Sequence, residues 1–133
     1  MTSVSLGNYK TVAFIPTIDA AKAKAFYRDV LGLTLAREEM PFAVIFEVNG
    51  SALRLSVVGE LRPASWTIFG WEVPNVLATV RALESSGVHF ERFAGMNQND
   101  DRIWNSPTGA QVAWFKDPDG NVLSVSGYGE EGL

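Results

Sequence analysis

The chain has 133 residues, of which 47% are hydrophobic and 20% are charged, as in an ordinary globular domain. Its net charge is −4 and its 11 Lys and Arg residues are scattered, which argues against a nucleic-acid-binding surface. The absence of cysteine excludes disulfides, zinc–thiolate sites and thiol nucleophiles. With neither a signal-peptide pattern nor an apolar run of membrane-spanning length, we expect a cytoplasmic protein without membrane or nucleic-acid partners.

The first half of the sequence predicts a strand, a helix and three further strands. Asp19 is a suitable N-cap for a helix over residues 20–31, whose apolar side chains recur on one face. Asn49-Gly50 is typical of a tight hairpin turn between two strands. The predicted strands of this half are residues 11–16, 34–38, 43–48 and 52–58.

The second half repeats this order of elements without repeating the residues. Pro74-Asn75 starts a predicted helix that Gly87 ends. Residues 94–109 form a long polar loop, of a kind that is often functional or mobile but is also found as an ordinary connection. The predicted strands of this half are residues 66–73, 88–93, 111–116 and 122–126.

A turn near the C-terminus and two upstream segments together form a recognisable pattern. The turn is Asp117-Pro118-Asp119-Gly120-Asn121, set between two apolar runs and therefore a predicted hairpin. The upstream segments are residues 14–19 (FIPTID) and 26–33 (FYRDVLGL). With these motifs the chain resembles the vicinal oxygen chelate superfamily over residues 9–127. That superfamily includes glyoxalases, extradiol dioxygenases and bleomycin-resistance proteins.

The resemblance implies an α+β fold built from two βαβββ modules. The modules would be residues 9–58 and 66–127, within a single domain of residues 1–133. They would form a curved sheet around a cup, with the helices outside. A single module could not bury its sheet face alone, which is a physical reason for the pairing. Bleomycin-resistance proteins bind their ligands at the interface of a homodimer, so the resemblance also implies a homodimer.

Metal-dependent members of the superfamily hold their metal through four ligands, mostly His and Glu, that point into the cup. The corresponding positions of this chain are Val12, Arg54, Ile68 and Ser124. Val and Ile have no donor atom, Arg is a fixed cation, and a neutral Ser hydroxyl is a poor sole ligand. We therefore expect no metal and no cofactor. Metal-dependent glyoxalase or dioxygenase activity is accordingly not expected, because that chemistry depends on the metal.

Strand alternation indicates which side chains face the cup. In the strand over residues 52–58, Leu53 and Leu55 would face the helices and Arg54 the cup. A cup-facing Arg can hold a carboxylate or phosphate through two hydrogen bonds. The alternative is an ion pair with a carboxylate such as Glu72 or Glu47, which burial would demand.

Aromatic residues are predicted to line the same cup. Alternation places Trp66 and Ile68 toward the cup and Thr67 toward the helices, while Phe14 shares the face of the first metal position. Trp104, in the polar loop, could fold over the cup mouth. The alternative is that these rings fill the core. The predicted ligand-binding residues are Arg54, Trp66, Ile68, Val12, Phe14, Ser124 and Trp104.

The interpretation favoured by these residues is a metal-free small-molecule binding protein of the bleomycin-resistance type. The alternative is a metal-independent lyase or isomerase on a small anionic or aromatic substrate. It would use Arg54 electrostatically and Asp100 or Asp101 as acid or base. A third possibility is an interaction domain whose cup is filled. The only histidine, His89, is expected to be a surface or strand-end residue, because Glu91 on the same predicted strand face is the only support for a catalytic role.

Overall fold

The structure, a computed structural model, describes residues 3–129. The chain divides between Leu61 and Arg62 into two compact units, which are called the first and the second unit below. Each unit contains one four-stranded sheet with parallel and antiparallel pairs. The predicted α+β class and the strand–helix–three-strand order of each half are both confirmed.

The first unit begins with a strand and a helix. The helix α1 spans Ala20–Ala25 and continues as a π-helical turn over Phe26–Val30, so the single predicted helix is interrupted. The strands β1 to β4 are Val12–Thr17, Thr34–Glu39, Ala43–Val48 and Ser51–Val57. Their order in the sheet is β1-β4-β3-β2, with β1 and β4 parallel and the other pairs antiparallel.

Local interactions fix the orientation of α1 against its sheet. The side chain of Asp19 accepts a hydrogen bond from the backbone N–H of Lys22 at 3.1 Å, which confirms the predicted N-cap. Tyr27 is fully buried, with its ring centroid 6.2 Å from that of Phe46. Leu53 is fully buried as well, as alternation predicted. The alternate residues of the same strands therefore turn away from α1.

The second unit repeats this order of elements, but its helix is longer and its outermost strand is very short. Its helix α2 spans Val76–Ser85, and the side chain of the N-cap Asn75 accepts from the N–H of Ala78 at 3.0 Å. Within residues 3–129, neither helix has the length and hydropathy needed to cross a bilayer. The strands β5 to β8 are Thr67–Glu72, Trp104–Asn105, Gln111–Lys116 and Val122–Gly127, and their order is β5-β8-β7-β6.

The two predicted hairpin turns have different internal supports. In the β3–β4 turn, Asn49 and Gly50 have φ of 45° and 86°, the left-handed pair that a tight hairpin requires. In the β7–β8 turn the residue Asp117 is only 5% exposed, and its carboxylate is the acceptor that organises the turn. It accepts hydrogen bonds at 2.9 Å from the backbone N–H of Asp119, the backbone N–H of Asn121 and the side-chain amide of Asn121. The buried carboxylate thus has three hydrogen-bond donors within the turn.

The strand predicted at residues 88–93 is wrong. Only Phe90 forms an isolated bridge there, to Phe115. The outermost strand of the second sheet is instead β6, which lies inside residues 94–109 and pairs with β7. The predicted polar loop therefore contains a sheet strand.

Side-chain hydrogen bonds explain why residues 88–93 do not pair as a strand. The amide of Gln98 donates to the carbonyl oxygens of Glu91 and Arg102, at 2.9 and 2.8 Å, and accepts from the N–H of Phe93 at 2.9 Å. The guanidinium of Arg92 donates to the carbonyl of Asn99 at 2.9 Å. These bonds occupy backbone groups that a sheet ladder would use.

Candidate functional site

An aromatic surface lies on the side of the second sheet that turns away from α2. In β7, Phe115 is fully buried on the helix side, and alternation turns Trp114 to the other side. The ring centroid of Trp114 lies 5.6 Å from that of Phe93 and 6.2 Å from that of Trp104. Both distances are within the range of favourable aromatic contacts, so Trp114 is the centre of this cluster.

Two cavities open on this surface, and both are lined by second-unit residues alone. The first, called the aromatic pocket, has a volume of about 360 Å³. The second, called the lysine cleft, also has a volume of about 360 Å³ and reaches Lys116 and Gly120. They share Ser65, Phe93 and Val122, so they are neighbouring parts of one depression. The aromatic pocket is lined by Ser65, Trp66, Thr67, Phe93, Met96, Trp114 and Val122.

Lys116 gives this depression a positive charge at one end. It follows Trp114 by two residues in β7 and therefore shares its face of the sheet. Its Nζ lies 3.8 Å from the carboxylate of Glu91, and its side chain is 47% exposed. A contact that long and that exposed holds the ammonium weakly, so the ammonium remains accessible to another anion.

The structure corrects one prediction beside this pocket. Thr67 was expected to face the helix, but the register of β5 against β8 shifts between Thr67 and Phe69. Thr67 consequently lies opposite Val122 and lines the aromatic pocket next to Trp66. An extra residue in one strand of a pair reverses the side on which the following residues point, which alternation alone does not predict.

The other predicted residues of the second unit have different placements. Trp104 was expected in a loop, but it belongs to the sheet strand β6, which corrects that placement. Ile68 is 36% exposed and lines neither cavity. Ser124 is 8% exposed, and a Cβ on Gly70 would lie 2.5 Å from its Oγ, so the β5 backbone covers the hydroxyl closely.

The three predicted residues of the first unit share one face of its sheet. Phe14 of β1 is the register partner of Arg54 of β4, and Val12 lies two residues before Phe14. Val12 and Phe14 are 49% and 66% exposed. The Arg54 side chain is 29% exposed, so its guanidinium is partly covered but reachable from solvent.

Arg54 takes part in an ion pair, as one alternative predicted, but its partner is neither Glu47 nor Glu72. Its Nη1 lies 3.1 Å from Oε1 of Glu39, and Nε of Arg37 lies 2.7 Å from Oε2 of the same carboxylate. The hydrogen bond from Arg37, and then that from Arg54, hold the pKa of Glu39 below its ordinary value. One carboxylate thus serves two guanidinium groups.

The residues at the four superfamily metal positions do not fit a metal ion. In the first unit these positions hold the aliphatic Val12 and the ion-paired Arg54. In the second unit they hold the aliphatic Ile68 and the covered hydroxyl of Ser124. Divalent metals in this family need imidazole and carboxylate donors. Across residues 3–129, no group of three or more His, Cys, Asp or Glu side chains is placed to hold a metal.

Several residues of the aromatic pocket and the lysine cleft were missed by the sequence reasoning. Alternation within residues 111–116 already puts Trp114 and Lys116 on one face, so that signal was present. Phe93 and Met96 lie outside every strand and helix, where no periodic pattern exists to indicate their direction. His89 is exposed, as expected of a surface histidine.

The comparison with known families gives one match that covers most of the chain. A family model described as the Glyoxalase/Bleomycin resistance protein/Dioxygenase superfamily matches residues 10–125. No curated protein sequence matches this chain. The family match spans both units and includes the aromatic pocket, the lysine cleft and Arg54.

Solved structures with the same fold come from several bacteria. A lactoylglutathione lyase from Agrobacterium tumefaciens is 19% identical, with a TM-score of 0.70 over 90% of this chain and 93% of that one. A glyoxalase/bleomycin resistance protein/dioxygenase from Nocardioides is 21% identical, with a TM-score of 0.71 over 99% and 89%. A superfamily member from Sphaerobacter thermophilus is 21% identical, with a TM-score of 0.70 over 90% and 96%. At these identities the similarity establishes the fold alone.

Proposed function

Because this chain belongs to the Glyoxalase/Bleomycin resistance protein/Dioxygenase superfamily, we propose that it is a metal-free small-molecule binding protein. It resembles in this respect the bleomycin-resistance branch, whose members bind ligands without transforming them. The observation that carries the proposal is the aromatic pocket of the second unit with the lysine cleft beside it. The ligand class is a flat aromatic compound with an anionic group.

The aromatic pocket supports the flat part of such a ligand. Its volume of about 360 Å³ lies within the range of small-molecule sites. Trp66 is 69% exposed on its wall, and an exposed indole is a large apolar surface available for burial. Met96 adds a flexible thioether that adapts to ring edges. Stacking on one such ring contributes roughly 0.5–1.5 kcal/mol beyond area burial.

The lysine cleft supports the anionic part. Lys116 is the only cationic side chain among the residues that line these two cavities, and Glu91 holds it only weakly. An anionic group on a ring stacked at Trp66 and Trp114 would approach its ammonium along the shared wall. Charge attraction of this kind orients a ligand that apolar contacts alone would leave free to turn.

The metal-free part of the proposal rests on residue types. Glyoxalase and dioxygenase chemistry needs a Lewis-acidic or redox metal, and the four superfamily positions offer no donor set for one. Likeness to a structure named lactoylglutathione lyase, at 19% identity, carries fold and not activity.

The alternative of a metal-independent lyase or isomerase has less support. Asp101 lies 4.0 Å from the guanidinium of Arg81 on α2, an exposed surface contact. Neither Asp100 nor Asp101 lines the aromatic pocket or the lysine cleft. The open cavity also disfavours an interaction domain whose binding surface is filled. Binding is therefore the function that these side chains serve best.

The homodimer expected from the resemblance remains part of the proposal. Met40 and Phe42, at the turn between β2 and β3, are 55% and 69% exposed. Exposed large apolar side chains that are close together favour association. Analytical ultracentrifugation tests this directly: a dimer mass supports it, and a monomer at micromolar concentration contradicts it.

Calorimetric titration with 2-naphthoate tests the binding proposal, with 2-naphthamide as the uncharged probe. We expect saturable binding of naphthoate that Trp66→Ala weakens by about tenfold or more, because a stacking surface is lost. Lys116→Ala should weaken naphthoate by about fivefold and leave naphthamide unchanged, because only one charge pair is removed. Tyr9→Ala, at an aromatic residue that is 65% exposed and lines neither cavity, is the matched control.

Two results would contradict the proposal. Equal affinity of naphthoate for the wild type and Trp66→Ala would place the ligand elsewhere. Conversion of naphthoate to a new mass during incubation, followed by mass spectrometry, would make the protein an enzyme. Native mass spectrometry of the purified protein adds an independent readout, since a co-purified small mass identifies a natural ligand and a stoichiometric transition metal contradicts the metal-free assignment.

A further inference from the structure

A band of charged residues crosses the first sheet on the side that turns away from α1. The register aligns one residue from each strand into rows across the sheet. One row contains two arginines and a phenylalanine, and the next row contains a glutamate and a serine. The first row is Arg37, Ile45, Arg54 and Phe14, and the next is Glu39, Ala43, Ser56 and Pro16.

The glutamate of this band fills the space between the two arginines. Arg37 and Arg54 stand on strands separated by β3, a Cα separation of about 10 Å. Both still reach Glu39, at 2.7 and 3.1 Å. Ala43 of β3 lies in the register row between Glu39 and Ser56 and is fully buried, so neighbouring groups cover this part of the sheet. The gap between the guanidinium groups therefore accommodates one carboxylate, and here that carboxylate belongs to the chain itself.

Donors remain unused around that carboxylate. A guanidinium has five N–H donors, and within the described residues the Arg54 group makes a single hydrogen bond, to Glu39. The Arg54 side chain is 29% exposed, so its other N–H groups are reachable. Ser56, two residues further along β4 on the same face, has no hydrogen bond from its hydroxyl among the described residues. Two guanidinium groups and one hydroxyl thus converge on one small area.

We propose that Arg54, Arg37 and the Ser56 hydroxyl form a binding site for the carboxylate of a small organic acid. Glu39 is the internal competitor that occupies the site without ligand. The incoming carboxylate takes the free edge of Arg54 in a two-bond arrangement. Phe14, 66% exposed beside Arg54 in the same row, offers apolar contact to the rest of the acid. This site belongs to the first unit, so it does not depend on the aromatic pocket.

The opposing explanation is a purely structural ion-pair cluster that connects β2 to β4. The two explanations predict different effects of removing the charge of Glu39. For a cluster that only stabilises the fold, Glu39→Gln removes an attraction and creates no affinity for anions. For a binding site, Glu39→Gln removes a competitor and leaves two uncompensated guanidinium groups, so carboxylates bind more tightly.

The experiment is a two-dimensional ¹H–¹⁵N NMR titration with benzoate, with benzamide as the uncharged probe. For the wild type we expect saturable shifts at residues 14, 37–39 and 54–56 with benzoate and none with benzamide. Glu39→Gln should bind about fivefold more tightly, as expected for loss of one negative charge about 4 Å away in a largely aqueous setting. Arg54→Gln should abolish these shifts, and the exposed Arg37→Gln, which leaves β4 untouched, should weaken them.

Trp66→Ala is the matched control, because it removes the proposed aromatic site and leaves the first unit unchanged. Weaker naphthoate binding at the aromatic pocket in Trp66→Ala, with intact benzoate shifts at residues 54–56, separates the two proposals. The site assignment is overturned if Arg54→Gln keeps the wild-type benzoate affinity, or if Glu39→Gln binds benzoate no better than the wild type. Saturable shifts with inorganic phosphate and none with benzoate would overturn the assignment to a carboxylate.

Discussion

The two sheets have the same strand order but carry different side chains on the faces that turn away from their helices. In the first unit, Phe14 and Arg54 are partners on the paired strands β1 and β4. The corresponding pair on β5 and β8 is Gly70 and Ser124. The first face is therefore bulky and charged at this point. The second face carries only small side chains at this point, which leaves space beside Trp114. A repeated topology thus supports two unlike surfaces, because the backbone hydrogen bonds that pair the strands do not depend on which side chains face away from the helices.

The outermost strands differ as well. β2 has six residues, whereas β6 has two. We attribute the difference to Gln98. Its side-chain amide forms hydrogen bonds with backbone groups of Glu91, Phe93 and Arg102, before and after it in the chain, and these bonds take the place of strand pairing. The outermost strand of the first sheet pairs along its length with one register shift, whereas the corresponding part of the second unit is held by hydrogen bonds from the side chain of Gln98.

The largest expected effect is on the free energy of unfolding, and it compares the helix-side faces of the two sheets. Leu53 of β4 and Leu123 of β8 are both fully buried. Leu53→Ala and Leu123→Ala should each lower the free energy of unfolding by about 2–5 kcal/mol, since each removes three carbons from a packed interior. Urea denaturation of the two variants measures this. A loss below about 1 kcal/mol in either variant would mean that the corresponding sheet face is not packed as described.

A smaller effect tests the difference between the outermost strands. Gln98→Ala should destabilise by about 1–3 kcal/mol, because partly buried backbone groups lose their partners. Hydrogen exchange followed by mass spectrometry should show faster exchange in residues 91–105 and unchanged exchange in β2. Gln111→Ala, which removes one exposed side-chain bond to Asn105, is the control. Uniformly faster exchange across the chain would contradict a local role for Gln98.

The smallest effect concerns the charge on the first face. Arg37, and to a lesser extent Arg54, hold the pKa of Glu39 below its ordinary value. A carboxylate whose pKa is lowered by folding stabilises the fold above its ordinary pKa and loses that contribution as pH falls through the lowered one. Carbon-13 NMR titration should show the pKa of Glu39 rising in Arg37→Ala and, by less, in Arg54→Ala. An unchanged midpoint in both variants would mean that these ion pairs do not persist in solution.

The sequence by itself determined the order of elements in both units, the starts of both helices and both hairpin turns, but it misplaced the strand that follows α2. These features depend on neighbouring residues, as at Asn49-Gly50, where the turn follows from two residue types that tolerate positive φ. It also predicts that the positions matched to the superfamily's metal ligands hold no set of residues suited to a metal, a prediction that rests on residue type. Strand alternation correctly predicted that Leu53 faces the helix and that Arg54 lies on the opposite face of the sheet.

Only the tertiary structure decided what those outward residues meet. The shift in register at Thr67 moved a side chain to the opposite face, and a bulge depends on the neighbouring strand rather than on the strand's own pattern. Glu39, 15 residues before Arg54, became its partner through the sheet order β4-β3-β2, which no local pattern encodes. Phe93 and Met96 reach the aromatic pocket from irregular backbone for the same reason. Short-range interactions therefore determine most helices, strands and turns, whereas pairing between distant strands determines which side chains meet in the aromatic pocket and around Glu39.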